Sequence, residues 1–327
     1  MIAAISAAIL CVALRPLLLR YALARPNARS SHRVPTPQGG GIAVLAGAFL
    51  ALGVSLLFWS LPAAARSDLA LVALAATLLS IVGAWDDIRP LPASIRLVLQ
   101  AGCVGLVVFL VALEIRLFPA FPLVLERGLA LLAGIWFVNL TNFMDGIDWI
   151  TVAGYVPLCA ALALAGATGI VDPATGLLAA GLCGGLIGFA PFNKPTARLF
   201  LGDVGSLPIG LVTAYLLYRL AGTGALAAAL ILPLYHVMDS TITLLRRLAR
   251  GEKVWEAHRS HFYQQATVNG YSVIEIVARI ALLNLVLIVL AALSIRWDAF
   301  WMQLACLLVA LALTGLLLRR FSRRRPA

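Results

Sequence analysis

Five carboxylates, Asp86, Asp87, Asp145, Asp148 and Asp203, stand at the ends of long apolar runs in a chain of 327 residues with 14 acidic residues against 25 lysines and arginines. Two crossings of a bilayer separate each group of carboxylates from the next, which puts all five on one side. Anionic side chains gathered at a membrane surface need a cation, and the simplest is a divalent metal shared with a phosphate. The pattern points to chemistry conducted where water meets lipid.

Each group has its own setting. Asp86 and Asp87 close an apolar run just before Ile88, Arg89 and Pro90. Adjacent helical residues point about 100° apart, so the two share one metal only if the helix ends there. Otherwise one binds metal and the other handles a proton or a second ligand. A solvated helix end is the plainer reading, but the macrodipole disfavours negative charge at a helix C-terminus. Asn139, Asn142, Asp145 and Asp148 recur every third residue. Neighbours at that spacing share a face, yet across all four the direction drifts through about 180°. The set converges only if the helix unwinds, and Gly146 offers the place. A calcium loop would need further ligands that are missing, and a lone Asn in a membrane helix is commonly interhelical glue. Asp203 lies between Gly202 and Gly205 at the start of an apolar run. There a phosphate could meet backbone amides and a bound metal. Asn193 and Phe200 precede it, the Phe200 ring either stacking on a base or anchoring the interface.

Two more connections are polar. Arg33 comes before Pro35, Pro37 and the glycines 39–41. The prolines stiffen an extended entry, and the glycines allow close backbone approach before a helix N-terminus suited to an anion. An ordinary loop-to-helix junction fits equally. His258, Arg259 and His261 lack the further ligands of a zinc site and suit a diphosphate, or simply a basic juxtamembrane turn. His236 and Asp239 share an apolar run at a spacing found in proton relays; a pair holding helices together, near a kink at Pro233, is the plainer reading.

What must position these residues is a set of helices. The chain is 62% hydrophobic and 12% charged, about half the charged fraction of a soluble domain. Apolar runs of about 20 residues, each long enough for a ~30 Å hydrocarbon layer, fall near 2–20, 41–60, 69–85, 94–113, 128–142, 150–167, 174–190, 206–220, 224–247, 274–293 and 299–318. The expected fold is all-α: a polytopic membrane helix bundle of about eleven transmembrane helices, ten being the lower count. It forms one domain over 1–327, with functional loops near 29–41, 85–93, 139–149, 191–206 and 248–272. Basic residues concentrate in those loops and the tail, which puts the N-terminus outside and the C-terminus in the cytoplasm. No Lys or Arg precedes the first apolar run, as expected of a retained helix. The net charge of +11 reads as topology signal and attraction to anionic membrane lipid rather than nucleic-acid binding. The five cysteines lie in or beside apolar runs without CxxC spacing and read as packing residues.

In order along the chain, PTPQGGG, the Asp86-Asp87 pair, NxxNxxDGID, NKPTARLFLGDVGS and the HxxH loop resemble the motifs of the polyprenyl-phosphate N-acetylhexosamine-1-phosphate transferases, glycosyltransferase family 4. The resemblance covers nearly the whole chain. It implies that undecaprenyl phosphate attacks the sugar-proximal phosphorus of a UDP-N-acetylhexosamine and UMP leaves, at the cytoplasmic face of the bacterial inner membrane. It also implies magnesium, or manganese in its place, on Asp203 and Asp145. Asp86 and Asp87 would position or deprotonate the lipid phosphate. Asn142, Asp145 and Asp148 would line the nucleotide and metal site, and Asn193 and Phe200 would meet the uracil. His258, Arg259 and His261 would meet the diphosphate, with Arg33 a further phosphate contact. A homodimer is compatible with this reading. Two departures stand out: Trp149 where many members carry glycine, and HRSHFYQ where the phospho-MurNAc-pentapeptide transferases have three histidines. The second points to O-antigen-type initiation. The alternatives are muramyl-pentapeptide transfer, an inactive scaffold, which the intact carboxylate set opposes, and a secondary transporter using His236 and Asp239. A transporter would hold its polar groups near the bilayer midplane, whereas nearly all lie at one surface here.

Overall fold

The structure, a computed structural model, describes residues 1–24, 35–111, 113–256 and 258–325; Arg33 lies outside them. The helices are α1 (Ile2–Tyr21), α2 (Gly40–Phe58), α3 (Ala63–Ile88), α4 (Ala93–Leu110), α5 (Leu123–Phe143), α6 (Ile150–Ala167), α7 (Pro173–Phe189), α8 (Asp203–Gly222), α9 (Leu226–Ile231), α10 (Leu234–Ala249), α11 (Phe262–Val268), α12 (Val273–Arg296) and α13 (Phe300–Phe321). Two short strands, β1 (Leu23–Ala24) and β2 (Thr36–Pro37), pair antiparallel with Leu23 opposite Pro37.

The chain is thus an all-α polytopic membrane bundle. Among the described residues nine helices are long and apolar enough to cross a membrane. Of the eleven expected crossings, two differ. α7 has 17 residues and reaches roughly 26 Å at 1.5 Å per residue. The ninth run is divided into α9 and α10 at Leu232 and Pro233, because proline offers no N–H to the preceding turn and its ring clashes with it.

Lipid tails give helices no hydrophobic reason to associate, so close packing of small residues holds them together. A methyl group on Gly41 of α2 would collide with the backbone of Gly205 in α8, and one on Gly83 of α3 with the backbone of Asp203. α8 runs through the centre of the bundle with its side chains buried nearly throughout.

Ions fasten the end away from the carboxylates. Arg219 near the end of α8 reaches Asp172 at 2.9 Å, Glu114 at 3.0 Å and Asp68 at 3.6 Å. Arg116 pairs with buried Glu126 at 2.6 Å. Arg127 donates to the Val108 and Leu113 carbonyls and to the Tyr218 hydroxyl.

Candidate active site

Two loops meet first. The glycine entry to α2 lies against the segment before α8: the amides of Gly39 and Gly40 donate to the Phe200 carbonyl and that of Gly41 to Leu201. These N-terminal amides of α2, expected to suit an anion, therefore already have protein acceptors. Gln38 adds a bond from Nε2 to the Asp87 carbonyl, 3.0 Å.

α3 stays helical through Ile88, so Asp86 and Asp87 point different ways. Asp87 turns to the start of α8, where its two oxygens accept from the amides of Asp203 and Val204, each at 3.1 Å. The C-terminus of α3 disfavours its charge and the N-terminus of α8 favours it, so one carboxylate caps a helix it does not belong to. Those amides, where the sequence left room for a ligand phosphate, are filled by protein. Asp86 turns outward to the Leu91 amide at 2.6 Å and the Arg96 guanidinium at 2.7 Å. Arg96 also stands 3.8 Å from Asp203 Oδ2.

Asn142, in the last turn of α5, donates from Nδ2 to Asp203 Oδ1 at 2.7 Å and to Ser206 Oγ at 2.9 Å. The expected unwinding occurs at Met144, before Gly146. Gly146 is required for another reason: a methyl there would collide with the Tyr263 hydroxyl. Beyond the break, Asp145 accepts from Thr151 and Asp148 Oδ2 from the Ala197 amide at 2.9 Å. Asn139 faces away, to Gln100 of α4 at 2.7 Å. Trp149 adopts left-handed backbone, φ 64°. Its amide donates to Asn193 Oδ1 at 2.8 Å and its indole to the Ala190 carbonyl at 2.7 Å. Asn193 Nδ2 in turn holds the Leu199 carbonyl at 3.1 Å, which fixes the backbone beside Phe200.

These residues enclose a cavity of about 650 Å³. Asp87, Asn142, Asp145, Asp148, Asn193, Phe200 and Asp203 all form part of its wall. Asp86 is held behind the wall by Arg96. His258, Arg259 and His261 do not line the cavity, although Gln264 of the same segment does. His261 is buried, with Nδ1 3.1 Å from Asp239; His258 is half-buried and Arg259 exposed.

Four aspartates share the wall, and no lysine or arginine among the described residues does. Removal from water pushes the Asp145 carboxyl up to about 7; the Thr151 hydrogen bond opposes this, and the charges of Asp87 and Asp148 add to it. Burial, with His261 and Arg247 adding, pushes His258 down to about 4, so its ring is neutral at pH 7. Carboxylate and amide oxygens around excess negative charge form a donor set for a hard cation. No three His, Cys, Asp or Glu side chains among the described residues could enclose a metal alone. Magnesium commonly binds through one or two carboxylates and completes its octahedron with waters and phosphate oxygens.

Arg96, Gln38 and Gln264 were not singled out by sequence reasoning. Arg96 lies in the first turn of an apolar helix, and only its spacing of ten residues from Asp86, across a turn at Pro90 and Pro92, hints at the pair.

Residues 69–221 match the family model described as Glycosyl transferase family 4. A Mycobacterium leprae (strain TN) protein named decaprenyl-phosphate N-acetylglucosaminephosphotransferase is 27% identical over 77% of this chain and 71% of its own length. A Bacillus subtilis (strain 168) protein named probable undecaprenyl-phosphate N-acetylglucosaminyl 1-phosphate transferase is 24% identical over 77% and 71%. The phospho-N-acetylmuramoyl-pentapeptide-transferase of Desulforudis audaxviator (strain MP104C) is 31% identical over 56% and 62%. The family match runs from α3 to α8, across helices that build the carboxylate cavity, and over those residues the chain is similar to glycosyl transferase family 4.

Proposed function

We propose that the chain transfers an N-acetylhexosamine 1-phosphate from a UDP-sugar to undecaprenyl phosphate, releasing UMP. The observation that carries this reading is the single cavity gathering Asp87, Asp145, Asp148 and Asp203 at the ends of membrane helices. A second, largely apolar cavity of about 570 Å³ is walled by α4, α5, α8, α9, α10 and α13, with Trp136, Phe137 and Leu140 among its residues. α5 contributes Leu129 to Leu140 to the apolar cavity and Asn142 to the polar one. A substrate with an isoprenoid tail and a phosphate head would call for one apolar and one polar site, and the relatives' names speak of polyprenyl phosphates.

In the reaction, an oxygen of the lipid phosphate attacks the sugar-proximal phosphorus. The bond from that phosphorus to the bridging oxygen breaks, and UMP leaves with the electron pair. Two anions must meet, so positive charge is what the site must supply. Asp203 and Asp145 would hold magnesium, whose bound charge offsets that repulsion. Arg96, kept in place by Asp86, is the protein cation beside Asp203 and is suited to the lipid phosphate. A phosphate monoester loses its second proton near pH 6 and is mostly a dianion at pH 7. Proton abstraction therefore has little to contribute, and Asp86 and Asp87 act chiefly by positioning Arg96 and Asp203. Asn193 and Phe200 take the uracil and Asp148 the nucleotide side; the expected diphosphate contacts His258, Arg259 and His261 do not line the cavity, and Gln264 is the residue of their segment that does.

The basic residues favour this end of the bundle as the cytoplasmic face, where UDP-sugars are found, in a bacterial inner membrane. HRSHFYQ in place of a triple histidine supports initiation of an O-antigen-type glycan.

The test is UMP release by purified protein given undecaprenyl phosphate and magnesium, across UDP-N-acetylhexosamines and UDP-MurNAc-pentapeptide. Release that requires both lipid phosphate and metal supports the transferase, and the preferred donor decides between glycan initiation and peptidoglycan. No release with any donor, from folded protein, overturns the reading.

A further inference from the structure

Asp239 lies in α10, wholly buried, and is not part of the cavity wall. His236, three residues earlier, does not pair with it: that ring packs edge-on against Tyr155 and Tyr235 and fills the space above Gly154. Asp239 turns instead toward the segment before α12. It accepts from the Phe262 amide at 3.0 Å, the Tyr263 amide at 3.1 Å and His261 Nδ1 at 3.1 Å. Tyr235 and Thr243, one turn away on either side in α10, add hydroxyl bonds at 3.2 and 3.4 Å. No lysine or arginine among the described residues forms an ion pair with it. A buried carboxylate without a full cationic partner is tolerated only when hydrogen bonds satisfy it, and here three of the donors come from consecutive residues of one segment.

That segment reaches the site. The Tyr263 hydroxyl donates to the Phe143 carbonyl at 2.8 Å and sits against Gly146, where α5 gives way to Asp145. Gln264 follows and lines the cavity. The His261 ring stacks on Tyr263, with centroids 5.6 Å apart, and meets the His258 ring at a tilt, 4.9 Å away. Holding the Nδ1 proton against a carboxylate fixes the tautomer and the orientation of the ring.

We infer that Asp239 is a positioning residue for transfer. It holds His261 and the first turn of α11 in the register that presents Gln264 to the cavity and braces Tyr263 against the turn carrying Asp145. The break at Pro233 gives α10 its own axis, so this half-span can direct its carboxylate at the loop. The effect on turnover rests on the proposed function; the structural hold does not.

Asp239→Asn keeps the volume but turns an amide N–H₂ toward either a backbone N–H or His261 Nδ1. Steady-state UMP release should then show kcat lowered about 10- to 100-fold, as for other residues that orient a functional histidine, with KM for the UDP-sugar within about 3-fold. Because part of the effect runs through His261, the loss in Asp239→Asn combined with His261→Gln should fall short of the product of the two single losses. Amide hydrogen exchange should quicken at 262–263 and stay unchanged in α12 and α13. An unchanged kcat, losses that multiply in the double variant, or unchanged exchange overturns the inference. Should unmodified protein release no UMP, the proposed function fails and exchange alone decides whether Asp239 holds the segment. Should Asp239→Asn not fold, Tyr263→Phe, which removes only the brace to Phe143, must lower kcat with KM held; an unchanged kcat there overturns the inference equally.

Discussion

At Asp203 three neighbours divide the work of holding one carboxylate. Asn142 bonds one oxygen, Arg96 stands beyond the other, and Asp87 grips the backbone amides at the base of the residue. Asp203→Asn keeps the shape and an acceptor for Asn142 but removes the charge that a cation would use. UMP release should fall by at least about 100-fold, the scale of losing a charge-stabilising group at a reacting centre. Detergent-solubilised protein should elute and unfold as before. Activity near that of the unmodified chain would remove Asp203 from the proposed metal site. Much of the cavity wall was legible because the chain is acid-poor, and an aspartate beside apolar residues at a span end calls for a reason. Arg96 was not, since an arginine one turn into a span also reads as a topology signal. Asp239 was visible, but its partner was misjudged: spacing along a helix pointed to His236, whereas the bond runs to a loop more than twenty residues away.

Asp87 caps α8 from α3, and Asp239 caps α11 from α10. In both cases a carboxylate, half-buried at Asp87 and wholly buried at Asp239, fixes the first turn of the helix that carries or flanks the site. Sequence showed where the helices lie, because apolar length is read directly, and it anticipated a bend at Pro233. The run expected to end at 142 stops within a residue of the end of α5, but Gly146, read as the place of unwinding, answers to the close approach of Tyr263. The glycine entry of α2 allows a direct check on close approach. Gly41 and Gly53 both belong to α2; a methyl at Gly41 meets the Gly205 backbone and one at Gly53 meets nothing within 4 Å. Gly41→Ala must push α2 away from α8, and should cost about 1–3 kcal/mol together with most of the activity. Gly53→Ala should be neutral or gain up to about 1 kcal/mol from helix propensity. Thermal unfolding in detergent distinguishes them, and equal effects would mean that the α2–α8 contact does not set the cavity.

The two ends of the molecule have opposite characters. One end collects carboxylates around a cavity that lacks a basic residue on its described wall. The other neutralises its acids internally, with Arg219 joining Asp68 of α3, Glu114 after α4 and Asp172 at the start of α7. Excess negative charge at the first end is suited to a ligand cation, and the matched charges at the second hold the bundle together. The difference is testable through pH, because Asp172 lies outside the hydrocarbon-length helices and beside water. Burial alone would raise its carboxyl, but bonds from the Thr175 amide and hydroxyl and the charge of Arg219 hold it below its ordinary range. A carboxyl depressed in the folded state stabilises the fold above its unfolded value, near 3.9, and that contribution disappears as pH falls through the folded value. The unfolding midpoint should therefore fall as pH drops below about 4. Asp172→Asn should begin lower at neutral pH, having lost the Arg219 attraction, and show a shallower decline in acid, so that the two curves approach each other. Parallel curves would mean that Arg219 is satisfied by Asp68 and Glu114 alone. In that case α7, which at 17 residues is shorter than the nine membrane-length helices, would be held at this end by its packing against α6 and not by charge.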